Sequence, residues 1–367
     1  MSSIIQIGKK VTSPLGFQKG YNVILFIIFG GALMGFALAR FQFLSFKGVF
    51  CKPLSTLGAA PGECYWYKQD LYKAGILLHL GCMLPASFLA AFQFVPSIRH
   101  HLLIFHRMNG YIIILLTLVG NAGAIIIARH VFGGTVATQT LVGTLFLMST
   151  FGILNAYYNI KCLQIDQHRA WMLRTFAWMG SIITARVILI TMIHAISSLP
   201  AGYNFYDNRS CDELISIAGP DPVYAFYPEC VPGFSNSTTA GRVILRATWN
   251  SDNPFEKVAV AGLSFPATVW LSLALHVLGI ELYLAFTPRE GQRLRQISYE
   301  RQLARGMKNP GSAGLVPEKF ADADPWVPKL EDREIQKNKE SSSRSSGDDF
   351  ANIERSITDS VRIYATA

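Results

Sequence analysis

Residues 109–128 read NGYIIILLTLVGNAGAIIIA, twenty positions without a charge. At a rise of about 1.5 Å per residue, a helix of that length reaches across roughly 30 Å, the hydrocarbon thickness of a bilayer. A helix on a soluble domain turns a charged or polar face to water every turn, and this stretch offers no such face. Five more stretches are long and largely apolar: Tyr21 to Leu44, with Arg40 near its end; Ala74 to Val95, with His79 and Pro85; Gly134 to Ile160; Leu173 to Ile196, interrupted by Arg174 and Arg186; and Ser264 to Phe286, with His276 and Glu281. The expected fold is therefore all-α, a six-span transmembrane helical bundle.

Composition agrees. Half of the 367 residues are hydrophobic, and only 16% are charged, against roughly 25% in an ordinary soluble domain. Mean hydropathy is +0.29. A disordered chain, a collagen and a simple soluble enzyme are excluded. The expected organisation is a cytosolic segment 1–20, a membrane domain 21–287 with one large outer loop at 197–263, and a cytosolic region 288–367. The first apolar run is preceded by twenty residues, so Ala37-Leu38-Ala39 reads as part of a retained anchor rather than a signal-peptide cleavage site.

Charge in the short loops sets the orientation. With the N-terminus in the cytosol, the inside receives Lys9, Lys10, Lys19, Arg99, Arg107, Lys161, Arg169 and Arg174, then Arg289, Arg293, Arg295, Arg301 and Arg305. The outside receives Lys47, Lys52, Lys68, Lys73 and Arg129. Both termini are then cytosolic, in a secretory-pathway or plasma membrane. Cys51 and Cys64 fall in the first outer loop, Cys211 and Cys230 in the third, which suits disulfides in an oxidising compartment. Pairing within each loop is the simplest of the three arrangements. Cys82 and Cys162 are expected to be reduced. Asn208-Arg209-Ser210 and Asn236-Ser237-Thr238, both N-glycosylation acceptors, lie in the same third loop. That loop is too short to bury a core alone and reads as a disulfide-tied cap.

Pro288 suits a helix start, and Arg289 to Arg305 reads as a polar, basic helix, lying along the anionic inner leaflet or extending the sixth span into solvent. From Lys308 onward the composition of Gly, Pro, Ser, Lys, Glu and Asp reads as a disordered tail. The net charge of +9 is a statement about a membrane surface, and no nucleic-acid-binding module is present.

Two cytosolic segments resemble each other. His106-Arg107 and His168-Arg169 each stand just before a span, one helical hairpin apart. Spans two-three and four-five are then two copies of one hairpin, giving a four-helix core. Arg107 and Arg169 at two helix N-termini make a surface attractive to phosphate, carboxylate or a lipid headgroup. Positive-inside marking, with arginines snorkelling to lipid phosphates, accounts for the same residues. Within the membrane, Arg186 stands near the midplane and is expected to reach Glu281 or His276, as a cavity lining or a packing pair. Histidines at two depths suit bis-His haem b ligation, with His106 and His168 matched at the inner edge and His79 and His194 at the outer level. No P-loop, His-Glu-x-x-His or Gly-x-Ser-x-Gly motif is present, and whether the chain is an enzyme stays open. Gly120-Asn121-Ala122-Gly123-Ala124 reads as a small-residue stripe for close helix packing.

His79, Gln93-Phe94, Arg99, His106-Arg107-x-x-Gly110-Tyr111, His168-Arg169-x-Trp171-Met172-x-Arg174 and Arg186 together resemble the membrane family catalogued as domain of unknown function 2306. The resemblance covers about Ala74 to Ile196. It implies a membrane-embedded helical core with polar residues at these positions, and it confers no reaction. The cysteine-bearing loop and the tail lie outside it and look like elaborations of a fungal-type member. Three readings of function follow. One is binding or transport of an anionic or amphipathic small molecule at His106, Arg107, His168, Arg169 and Arg174, with Arg186 and Glu281 in the membrane. The second is a b-type haem electron carrier. The third is a membrane scaffold whose tail recruits partners.

Overall fold

The computed structural model describes residues 15–17, 19–52, 58–200, 202–233 and 241–329. Asn236 lies outside the described residues, as do Lys9, Lys10 and the chain from 330 onward. Six helices are long and apolar enough to cross a membrane: Gly20–Leu44, Asp70–Gln93, Leu103–Ile127, Val136–Lys161, Ile165–Ser197 and Pro254–Phe286, here spans 1 to 6. The chain divides into two compact units, one of residues 1–157 and 168–288, the other of 158–167 and 289–367.

In the first unit, spans 2 and 3 lie close because Gly120 and Gly123 allow it. A side chain at Gly123 would collide with the backbone of Gly75 and His79, and one at Gly120 with Met83. This is the close packing expected of the small-residue stripe. Span 6 buries Phe265, Val269, Leu273 and Ile280 against Leu141, Trp178 and Ala185.

Spans 5 and 6 are both longer than hydropathy indicated. Span 5 starts at Ile165, so His168 and Arg169 stand inside its first turns rather than in a loop. Span 6 starts ten residues before Ser264. Asn253 caps it by accepting from the Phe255 N–H, and Pro254 occupies the first helical position. Glu256 and Lys257 end the apolar pattern there, but they do not end the helix.

Those extra turns explain the cap. Phe255, Ala259 and Val260 form one core with Leu214, Val223, Val243, Leu245 and the Cys211–Cys230 cystine. Burying each large apolar side chain is worth about 1.5–3 kcal/mol. Two strands, β1 (Tyr206–Ser210) and β2 (Arg242–Arg246), pair antiparallel with Asn208 opposite Ile244. Ser210 then caps the helix Cys211–Ala218 by accepting from the Glu213 N–H. Cys51 and Cys64 form the second cystine, so both disulfides close within their own loops. Cys82 and Cys162 are free thiols. Asn208 is exposed on β1, with its Oδ1 accepting from Arg242.

The second unit corrects the reading of everything after Lys308 as disordered. Residues 309–329 fold onto one face of the helix Pro288–Ala304, and they do so with polar groups. Gln302, fully buried, donates to Cys162 O and Gln164 Oε1 and accepts from the Gly311 N–H. Ser298 donates to Asp166 and accepts from the Ile165 N–H. Arg295 pairs with Glu318, donates to Gly311 O, and lies over the Trp326 ring. A linker-like composition conceals this because the unit is held by hydrogen bonds rather than by apolar mass.

Candidate functional site

At the end of the bundle opposite the cystines, the structure separates the histidines from the arginines. His168 turns toward span 4, where its Nδ1 meets Ala156 O at 2.9 Å. His106, on span 3, is close enough to interact electrostatically with it. The His106 Nδ1 is sealed from solvent and has no hydrogen-bond partner. Around it, Gln93 donates to the His106 carbonyl and Asn109 to the Leu89 carbonyl, fixing span 3 against span 2.

Arg169, one residue and about 100° further round the helix, faces another way. It donates to the Tyr283 hydroxyl, 3.2 Å away on span 6, and that hydroxyl donates to Asn22 on span 1. Arg107 is exposed. Arg174 makes a two-pronged pair with Glu281, at 2.6 and 2.8 Å, and lies over Trp171. The paired His-Arg motifs therefore leave their histidines within electrostatic range of each other and send Arg169 and Arg174 to span 6.

Glu281 was expected to meet Arg186, and this is corrected. Depth decides it. Glu281 stands about 8 Å from the end of span 6 and Arg174 about 14 Å from the start of span 5, whereas Arg186 stands about 32 Å from that start. His276 is also occupied, with Nδ1 on Ala177 O at 2.6 Å and Nε2 on Thr184 Oγ1 at 2.8 Å. His79 and His194 are not brought together. His79 is wedged in the seam of spans 2 and 3 with Nδ1 on Gly120 O, and His194 is exposed. Among the described residues no group of three or more His, Cys, Asp or Glu side chains is placed to hold a metal ion.

The cystine end holds a second group that sequence reasoning missed. Glu63, in the short helix Glu63–Tyr67, is buried. It accepts from the Ala60 N–H at 2.9 Å and the Phe132 N–H at 3.0 Å. Burial pushes its carboxyl up to about 7, against those two donors and the charges of Arg186 and Arg209. Phe132 is held at φ 45°, a conformation that costs a non-glycine residue, and Gly133 and Gly134 follow it at positive φ. Its ring stacks on Phe265 at 3.8 Å, and the Arg186 guanidinium lies over both rings. Arg209 is buried between Asp207 and Glu213 at 2.7 and 2.6 Å. The available signal was an acid beside a cystine, Glu63-Cys64, which is too common to single out.

Three comparisons bear on identity. A family described as "Predicted membrane protein (DUF2306)" has a sequence model that matches residues 76–203. That segment contains His79, Arg99, both His-Arg pairs and Arg186, the positions that carry the resemblance. "Ava biosynthesis cluster protein G" of Aspergillus versicolor is 26% identical over an alignment of 318 positions that covers 74% of this chain and 90% of that protein. No solved structure matches the chain.

Proposed function

We propose that this multi-pass membrane protein binds a small molecule among spans 3, 4 and 5, on His106 and His168, with that end of the bundle facing the cytosol. One observation carries the reading. The His106 Nδ1 is buried without a partner beside a second, fixed imidazole. A buried polar atom left unpaired costs about 1–3 kcal/mol, and a ligand that supplies its partner recovers that cost. Arg169 and Arg174 are engaged with span 6, so an acidic group on the ligand would meet Arg107 instead. The name of the Aspergillus versicolor relative places that protein in a biosynthesis cluster, and we infer that the molecule held here is a biosynthetic intermediate or a cofactor serving one.

A second reading, b-type haem, is favoured by one feature. A histidine whose Nδ1 is fixed by a carbonyl presents Nε2 as its free nitrogen, as metal-ligating histidines do. His168 has that arrangement. The discriminating experiment is a visible spectrum of detergent-purified protein made with haem supplied, oxidised and dithionite-reduced, beside mass spectrometry of extracted small molecules. A Soret band with sharp reduced bands, lost in both H106A and H168A, establishes haem. A flat spectrum with an organic molecule lost in the same variants establishes the first reading. A flat spectrum and an identical extract from all three proteins defeats both.

A further inference from the structure

The charge cluster at the cystine end is incomplete. Arg186 stands in the half of span 5 nearer the cystines, about 16 Å from its end at Ser197. Its Nε is sealed from solvent and meets no acceptor. The rest of its head rests on Phe132 and Phe265, at 5.0 and 5.4 Å from the ring centres. Arg40, near the same end of span 1, acts electrostatically on Arg186 and itself lies over Phe43 at 4.6 Å. Neither arginine makes an ion pair among the described residues. Arg209, nearby, is already balanced by Asp207 and Glu213. One carboxylate, Glu63, is close enough to act on Arg186, and it is already spanned by two backbone donors.

Two guanidinium groups in or beside hydrocarbon are expensive to leave unbalanced. Aromatic faces offset part of that cost, and they leave the planar N–H fork unfilled. We propose that Arg40 and Arg186 form an anion-binding site at the cystine end of the bundle, which takes a carboxylate or phosphate carried by an amphiphile. The phenylalanine rings would border the apolar part of that molecule and the two guanidinium heads its acid group. This site is separate in the chain from the histidine pair, and it does not depend on it.

Glu63 gives the site a pH dependence of definite sign. The groups facing Glu63 are Arg186 from span 5, Arg209 from β1, the Phe132 N–H and Tyr67 of its own helix. Below about pH 7 the carboxyl is neutral and Arg186 is available to an anion. Above it, the carboxylate competes, and affinity falls.

The test uses full-length protein in neutral detergent, with binding read by thermal stabilisation and by isothermal calorimetry. The probes are decanoate, lysophosphatidic acid and inorganic phosphate, with lysophosphatidylcholine as the net-neutral control. The expected result is saturable binding of an anionic probe at pH 6, weakened by about tenfold or more in R186Q and R40Q, since a lost charge-assisted hydrogen bond costs at least that much. E63Q should bind at pH 8 as tightly as the wild type does at pH 6. Binding of lysophosphatidic acid or decanoate alone identifies an amphiphile. Binding of phosphate as well identifies a free-anion site, and both results keep the arginine assignment. R186K retains the charge, so it separates loss of the fork from misfolding: a folded R186K with intermediate affinity supports the site. No binding by the wild type, or equal binding by wild type and R186Q, overturns it.

Discussion

The cap and the tail unit are of similar modest size and are held together by different physics. The cap is conventional. Leu214, Val223, Val243, Leu245 and Phe255 make an apolar core, and a cystine closes it. In the tail unit the most buried side chains include Gln164, Gln302, Ser298 and Arg295, with Val316 and Leu294 as apolar members. An apolar core tolerates change that keeps its volume. A polar one depends on every partner being present, because each lost partner leaves another group buried and unpaired.

The sharpest way to break this contrast is R295A. It strands Glu318 and leaves Asp166 without its nearby cation, and removing one partner of a buried pair costs about 3–5 kcal/mol. Hydrogen exchange should show residues 309–329 losing protection while the cap keeps its own. Equal protection in both proteins would mean that the polar network does not hold the unit.

The loop that carries Glu63, beside the cap, and the tail unit should also answer to pH with opposite sign. The Glu63 carboxyl titrates at about 7 in the fold against an ordinary 4.5. The fold therefore binds this proton more tightly than the unfolded chain does. Its contribution is complete below about pH 4.5 and is lost as pH rises to about 7. Burial alone would push Glu318 up as well, but its own backbone N–H, Ser312 and Arg295 outweigh burial and hold it below its ordinary value. Its contribution is present above the ordinary carboxylate range and is lost on acidification. Exchange rates corrected for intrinsic pH effects should show the short helix Glu63–Tyr67 more protected at pH 5 than at pH 8, by on the order of 3 kcal/mol. The tail unit should be more protected at pH 6 than at pH 4. E63Q should flatten the first profile and leave the second unchanged.

The smallest expected effect lies in the cap. S210A removes the hydroxyl that accepts from the Glu213 N–H, worth about 1 kcal/mol. A melting curve of the isolated R295A effect beside S210A would rank the two directly. A larger loss from S210A would mean that the cap, not the tail unit, depends on single hydrogen bonds.

The six spans were legible because the bilayer demands uncharged length, and residues 109–128 satisfy that demand without ambiguity. Their ends were less so. Asn253-Pro254 is a helix start in the sequence, but Glu256 and Lys257 end the hydropathic signal that a membrane reading follows. The cystines were legible because only within-loop pairing is simple. The site was half legible. His106 and His168 share a spacing and lie within electrostatic range of each other, but which way Arg169 turns depends on Tyr283 and Asn22, which are remote in sequence. Arg186 stands out in the sequence as a charge within an apolar run, but its partner does not, because the helix begins at Ile165, eight residues before that run. Residues 309–329 were illegible for a deeper reason. Hydrogen bonds between Gln302 and Gln164, or Asn159 and the Leu315 N–H, leave no periodic trace in a sequence.

Each cystine closes a ring inside its own loop, and neither crosses from one loop to the other. The two loops meet where Glu63 feels Arg209, and where a side chain at Gly62 would strike the Glu213 carboxylate. That junction is made of charge and shape alone. Parting the two loops would therefore break neither disulfide. Reducing one cystine would open its own ring and leave the other ring closed.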